Sequence, residues 1–157
     1  MKFTVINNNP GFFKINLIEE IVNACVRSGD QLTESIDEIN YVLNLNSFAN
    51  PKAFRRKAKS IFVITIVTDE KKIEDEKEIR AVCYNTLVKS LCNLLIYISP
   101  DFTTYFTTPE AGFYEIFFNP DKIYERMKPI ISSHFATENI FTSDLPAEFW
   151  NGTPVTD

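Results

Sequence analysis

The sequence predicts an α+β two-layer sandwich of about five mostly antiparallel strands, with two long helices on one face. Three observations predict it. Strand-like alternation and helical spacing follow one another in the order β-α-β-(short α)-β-α-β-β-α, without the strict βαβαβ rhythm of a doubly wound sheet. Two stretches are long enough for core-facing helices. An aromatic-rich pair of strands, joined by a turn-forming segment, reads as a hairpin.

The elements follow in order. Residues 2–7 alternate as a short strand. Asn16 followed by Glu19 has the form of a capping box. Leu17, Ile18, Ile21, Val22 and Cys25 then keep helical spacing, and Gly29 suits the position after the last turn, so a helix is expected over 16–28. Residues 38–45 place Ile39, Tyr41, Leu43 and Leu45 on one face and Asn40, Val42 and Asn44 on the other, a half-buried strand. Asn50-Pro51 is a helix start with proline at its first position, leading into a short helix over 52–59. Residues 61–67 (Ile-Phe-Val-Ile-Thr-Ile-Val) are β-branched and apolar on both faces, as in a central strand.

From Ile79, the positions Val82, Cys83, Leu87, Leu91, Leu94 and Leu95 keep a 3.6 period, which predicts the main helix over 74–95. The alternative ends it earlier and gives 94–98 to a strand, because periodicity does not separate the two. Residues 102–106 and 113–118 are the aromatic strands. Asn119-Pro120-Asp121 opens the last helix, with Ile123, Met127, Ile130 and Ile131 on one face. Pro129 should kink or restart it, since it lacks the N–H and crowds the previous turn. One domain is expected over 1–150, with 151–157 a tail or linker.

Composition excludes several functions. Of 157 residues, 45% are hydrophobic and 24% charged, which suits a packed domain rather than a disordered chain. The net charge of −5 disfavours nucleic acid and anionic membranes. No apolar run reaches the roughly 18–20 residues that span a bilayer, and the N-terminus lacks a signal-peptide pattern. The cysteines, Cys25, Cys83 and Cys92, read as reduced thiols in a cytoplasmic protein. With only four isolated glycines, no GxGxxG, Walker A or GxSxG motif can be written.

Candidate chemistry is sparse. Lys52, Arg55, Arg56 and Lys59 recur at helical spacing on one side of a short helix. Like charges so placed repel, so the face suits an anionic group or an acidic partner surface, with the arginines as bidentate donors. A solvated helix face balanced by the acidic stretch from Asp69 to Glu78 fits the same pattern. His134, the sole histidine, and Glu110 are candidate proton carriers, though a lone histidine is more often a structural residue and Glu110 more often an ordinary polar residue of a hairpin. Asp101 and Glu110 form a possible carboxylate pair near strand ends. One histidine and three scattered cysteines provide no zinc-ligand pattern, so no metal and no cofactor is expected.

Phe102, Tyr105, Phe106, Phe113, Tyr114, Phe117 and Phe118 crowd the hairpin. In a two-layer sandwich about half of these rings would face away from the helices, an apolar face that water rarely covers. Sheet-to-sheet association as a homo-oligomer, or docking on another domain, is the expected outcome. The first functional expectation is therefore a non-enzymatic cytoplasmic interaction module whose basic helix docks an acidic partner. The alternative is a small enzyme or ligand-sensing domain for a phosphorylated or carboxylated metabolite, possible also as an accessory domain of a larger enzyme. The tail over 144–157 resembles segments ahead of class II aldolase-like domains. That resemblance touches no aldolase active site, and the metal-binding histidines such a site implies are absent here.

Overall fold

A computed structural model describes residues 1–7, 15–35, 38–45, 61–110 and 112–144. The strands are β1 (Lys2–Ile6), β2 (Gln31–Leu32), β3 (Tyr41–Asn44), β4 (Phe62–Thr68), β5 (Leu94–Ile98), β6 (Thr103–Thr107) and β7 (Phe113–Phe117). The helices among the described residues are α1 (Ile15–Arg27), α2 (Glu76–Ser90) and α3 (Pro120–Asp144).

All seven strands form one sheet in the order β2-β1-β3-β4-β5-β6-β7. The first five run parallel. β6 and β7 are an antiparallel meander added at one edge. α1 and α3 pack on one face of the sheet, over a core containing Phe3, Leu43, Ile64, Ile96 and Phe106. α2 packs on the other, over Val42, Val63, Leu95 and Tyr97. Strand direction explains the split. α1 carries the chain from β1 outward to β2, whereas α2 carries it from β4 the opposite way to β5. Right-handed crossovers running in opposite directions put their helices on opposite faces.

The expected two-layer, mostly antiparallel sandwich is thus corrected to a three-layer, mostly parallel α/β sheet. Alternation identifies a strand but says nothing about the direction of its neighbour. The signal that bears on direction is burial on both faces. Every residue of β3 and β5 is buried, and so are the first five of β4. β3 is therefore not half-buried as expected: its Val42 and Asn44 face helices rather than water.

Local chemistry sets the helix ends. The Asp75 carboxylate accepts from the Lys77 N–H at 3.0 Å and caps α2. α2 ends at Ser90, and its cap residue Leu91 is left-handed with φ 53°. The chain then enters β5 at Leu94, the shorter of the two expected alternatives. Asn119 Oδ1 accepts from the Lys122 N–H at 3.1 Å, and Pro120 occupies the first position of α3. α3 continues through Pro129 rather than restarting. Asn16 lies inside α1, so it is not the cap that its spacing suggested. Gly29, at φ +103°, follows α1 in a conformation that disfavours a side chain. At Gly112 a Cβ would stand 2.7 Å from Thr108 Oγ1, in the loop between β6 and β7. The short helix expected over 52–59 and the tail over 151–157 lie outside the described residues.

Candidate functional site

In an open parallel sheet the carboxyl ends of the strands form the usual ligand edge, and the crevice opens where strand order reverses. Here the reversal falls between β1 and β3, since the chain goes from β1 to β2 on one side and returns to β3 on the other. Asn44, the last residue of β3, pairs in register with Ile6 of β1 and Thr65 of β4. Its side chain alternates with Leu43 and so lies on the α2 face, beside that of Thr65. Both residues are buried. Among the described residues, Asn44 Oδ1 and Thr65 Oγ1 have no hydrogen-bond partner. Buried polar atoms are nearly always satisfied, so two neighbouring exceptions stand out.

Two carboxylates rim the same edge. Asp69, immediately after β4, accepts from the Tyr97 hydroxyl and from the Lys71 N–H at 3.0 Å. Its own N–H donates to the Ile98 carbonyl at 3.1 Å, tying the ends of β4 and β5 together. Burial, then the hydrogen bond to Asp69, pushes the Tyr97 phenol well up. Asp101, in the turn between β5 and β6, accepts from the Ser99 hydroxyl, from Lys72 Nζ at 2.9 Å and from the Thr103 N–H at 3.2 Å. The Ser99 hydrogen bond, then Lys72, then the backbone donor hold its carboxyl well below the usual carboxylate range. In return Asp101 holds the Lys72 ammonium above its ordinary value. Both carboxylates are engaged in structural contacts.

The residues singled out from sequence are distributed differently. Lys52, Arg55, Arg56 and Lys59 lie outside the described residues, in the connection from β3 to β4. Asp101 and Glu110 do not form a pair: Asp101 precedes β6 and Glu110 follows it, at opposite ends of that strand. Glu110 does meet His134, the other weak candidate. Both line a cavity of about 410 Å³ at the amino ends of the parallel strands, with Phe62, Asn93 and residues of α3. His134 is 7% exposed, on the buried face that Ile123, Met127 and Ile131 define, as an unbroken helix requires. Burial pushes the Cys25 thiol up to about 11 and the Cys83 thiol up to about 12, so neither is a nucleophile at neutral pH. Among the described residues no group of three or more His, Cys, Asp or Glu could hold a metal ion.

The aromatic hairpin is partly covered: Phe106 is the buried ring of the seven, and no residue of β7 is fully buried. Phe106 is fully buried and stacks on Tyr114 at 5.2 Å, with Phe118 packed in the same α1/α3-side core. Tyr105 stacks on Phe113 at 5.7 Å on the α2 side, under the Arg80 guanidinium. Phe102 and Phe117 are the exposed rings of the seven. Asn44 escaped the sequence reading because a polar residue in an alternating strand reads as solvent-facing, and Thr65 because it stood within a run that read as apolar on both faces.

Fold and edge together define the class: a doubly wound, Rossmann-like α/β domain with its strand reversal at β1/β3. No family model matches the sequence, and no curated protein does. Two solved structures share the fold. One is titled the DNA/pantothenate metabolism flavoprotein from Streptococcus pneumoniae, with a TM-score of 0.56 and 10% identity over 86% of this chain and 99% of that one. The other is the C-terminal domain of the coenzyme A biosynthesis bifunctional protein CoaBC, with a TM-score of 0.58 and 8% identity over 88% of this chain and 96% of that one. The expectation of a non-enzymatic interaction module is corrected accordingly. It was argued from a two-layer sandwich, and the fold is instead a mostly parallel α/β sheet shared with proteins titled for metabolism. Among the described residues no helix is long and apolar enough to cross a membrane.

Proposed function

We propose that this chain is a small-molecule α/β domain, an enzyme or ligand sensor that holds a phosphorylated or carboxylated metabolite at the carboxyl edge of its parallel strands. The observation that carries this reading is the pair of buried atoms, Asn44 Oδ1 and Thr65 Oγ1, that have no partner among the described residues and lie beside the strand reversal. The connection from β3 to β4 carries Lys52, Arg55, Arg56 and Lys59, which in this reading neutralise the anion. With so few glycines, phosphate binding falls to side-chain cations rather than to a glycine-rich backbone loop. The three free, buried cysteines support a reducing, cytoplasmic setting.

Thermal shift against phosphorylated and carboxylated metabolites tests the reading. Flavin mononucleotide belongs in the panel because one structural neighbour is titled a flavoprotein. A ligand present at about 100 times its Kd adds about 2.7 kcal/mol of stability. At least one compound should raise Tm, and the double variant Arg55→Ala/Arg56→Ala should lose that shift while keeping its unliganded Tm. A panel without effect, or a double variant that responds as the parent does, overturns the reading.

A further inference from the structure

The helix α2 is apolar on two sides. Ile79, Cys83 and Leu87 are buried against the sheet. At 3.6 residues per turn, Ala81, Tyr84, Val88 and Leu91 fall together on the side away from them, spaced by three, four and three positions. This is the spacing of a coiled-coil seam. All four are exposed, Tyr84 at 51%, Val88 at 52% and Leu91 at 39%. Arg80, one turn before Tyr84, reaches over the Phe113 ring at 4.6 Å. The row therefore leans toward β6 and β7, away from the side of the β3–β4 connection. Beside it, Tyr84, Val88, Leu91 and Pro109 help line a groove of about 220 Å³. That is smaller than the roughly 300–1,000 Å³ of small-molecule sites and suits one large side chain. Leu91 presents its side chain from a left-handed backbone with φ 53°, where glycine is the unstrained residue.

Charge selects the occupant. The entry to α2 is acidic, with Glu74, Asp75, Glu76 and Glu78 around Lys77, whereas its last turn carries Lys89 and no acidic residue. A second α2 laid antiparallel brings acidic entry to basic end and opposes the two helix dipoles, while a parallel one stacks like on like.

We propose that the outer row of α2 is the contact between two copies of this chain, packed antiparallel about a two-fold axis. Such a contact is isologous: Tyr84 of each copy enters the groove beside Val88 of the other, and Ala81 lies against Leu91. A single helix pair is a small contact, so the dimer is weak and forms at about micromolar concentration or above. The surface is the outer side of α2 rather than the aromatic hairpin, and it uses none of the residues of the carboxyl-edge reading.

Sedimentation velocity on the full chain over about 1–500 µM should show the average sedimentation coefficient rising from monomer toward dimer. Tyr84→Glu and Val88→Lys, both at exposed helix positions, should each stay monomeric across that range and keep the parent's Tm at low concentration. An equimolar mixture of the two variants should dimerise again. The antiparallel contact sets the introduced carboxylate of one chain against the introduced ammonium of the other and leaves the second Tyr84–Val88 contact intact, which a parallel pairing does not. A parent that stays monomeric throughout, single variants that associate as the parent does, or a mixture that remains monomeric overturns the proposal.

Discussion

The Tyr41 hydroxyl donates a 2.7 Å hydrogen bond to Oδ2 of Asp30, and through it the start of β3 is anchored to the chain that precedes β2. Asp30 is buried and gathers donors from across the fold. Tyr124 and Lys128 of α3 reach it at 3.1 and 2.9 Å, and the Met1 ammonium at 3.2 Å. Burial pushes the Asp30 carboxyl up, but the hydrogen bonds from Lys128, Tyr41 and the N-terminal ammonium outweigh it and hold the carboxyl below its ordinary value.

Asp30→Asn should therefore cost about 1–3 kcal/mol at pH 7, since an amide leaves Lys128 uncompensated and satisfies the donors less well. The pH dependence has a definite sign. A carboxyl depressed in the folded state stabilises above its unfolded pKa of about 3.9, and that contribution is lost as pH falls through the lower folded value. Urea denaturation should show the gap between parent and variant at full size from neutral pH down to about pH 5, and narrowing in stronger acid. A gap that widens in acid would contradict the assignment.

Two phenylalanines of one hairpin should behave in opposite ways. Phe106 is fully buried, whereas Phe117 is 70% exposed. Phe106→Ala should cost about 3–5 kcal/mol, the range for emptying a packed aromatic site. Phe117→Ala should stay within about 0.5 kcal/mol of the parent. Chemical denaturation of both variants checks that the α1/α3-side face of the hairpin is packed at Phe106 while Phe117 stands in solvent.

Leu91 holds φ 53° at the end of α2 and is 39% exposed. The left-handed conformation costs a side-chain-bearing residue about 1–2 kcal/mol, and the Leu91 side chain returns only part of that through burial. Leu91→Gly should raise stability by up to about 1 kcal/mol, measured as an increase in Tm. A fall would mean that the leucine packing outweighs the backbone strain.

Much of the local structure was legible in the residues. Asn119-Pro120 marked the start of α3, the spacing of Ile79, Cys83 and Leu87 marked the buried face of α2, and the run from Ile61 to Val67 marked β4 as central. These are signals between residues within a few positions of each other, and capping and side-chain periodicity act at that range. The two-residue strand β2 carried no such signal, being too short for a period to register.

Of the candidate site, residue types were visible but their neighbours were not. Glu110 and His134 stood out singly, and nothing local indicated that a hairpin and a helix would bring them to one cavity. Asn44 was hidden in a strand whose alternation assigned it to water, and Thr65 in a run read as wholly apolar. By itself the sequence determined where strands and helices form and that they enclose an apolar core, because those outcomes depend on short-range periodicity. Only the tertiary structure decided that the strands run parallel, that helices cover both faces, and which polar atoms end up buried without partners. Strand direction is chosen by crossovers spanning tens of positions, and the burial of a side chain depends on which layer closes over it.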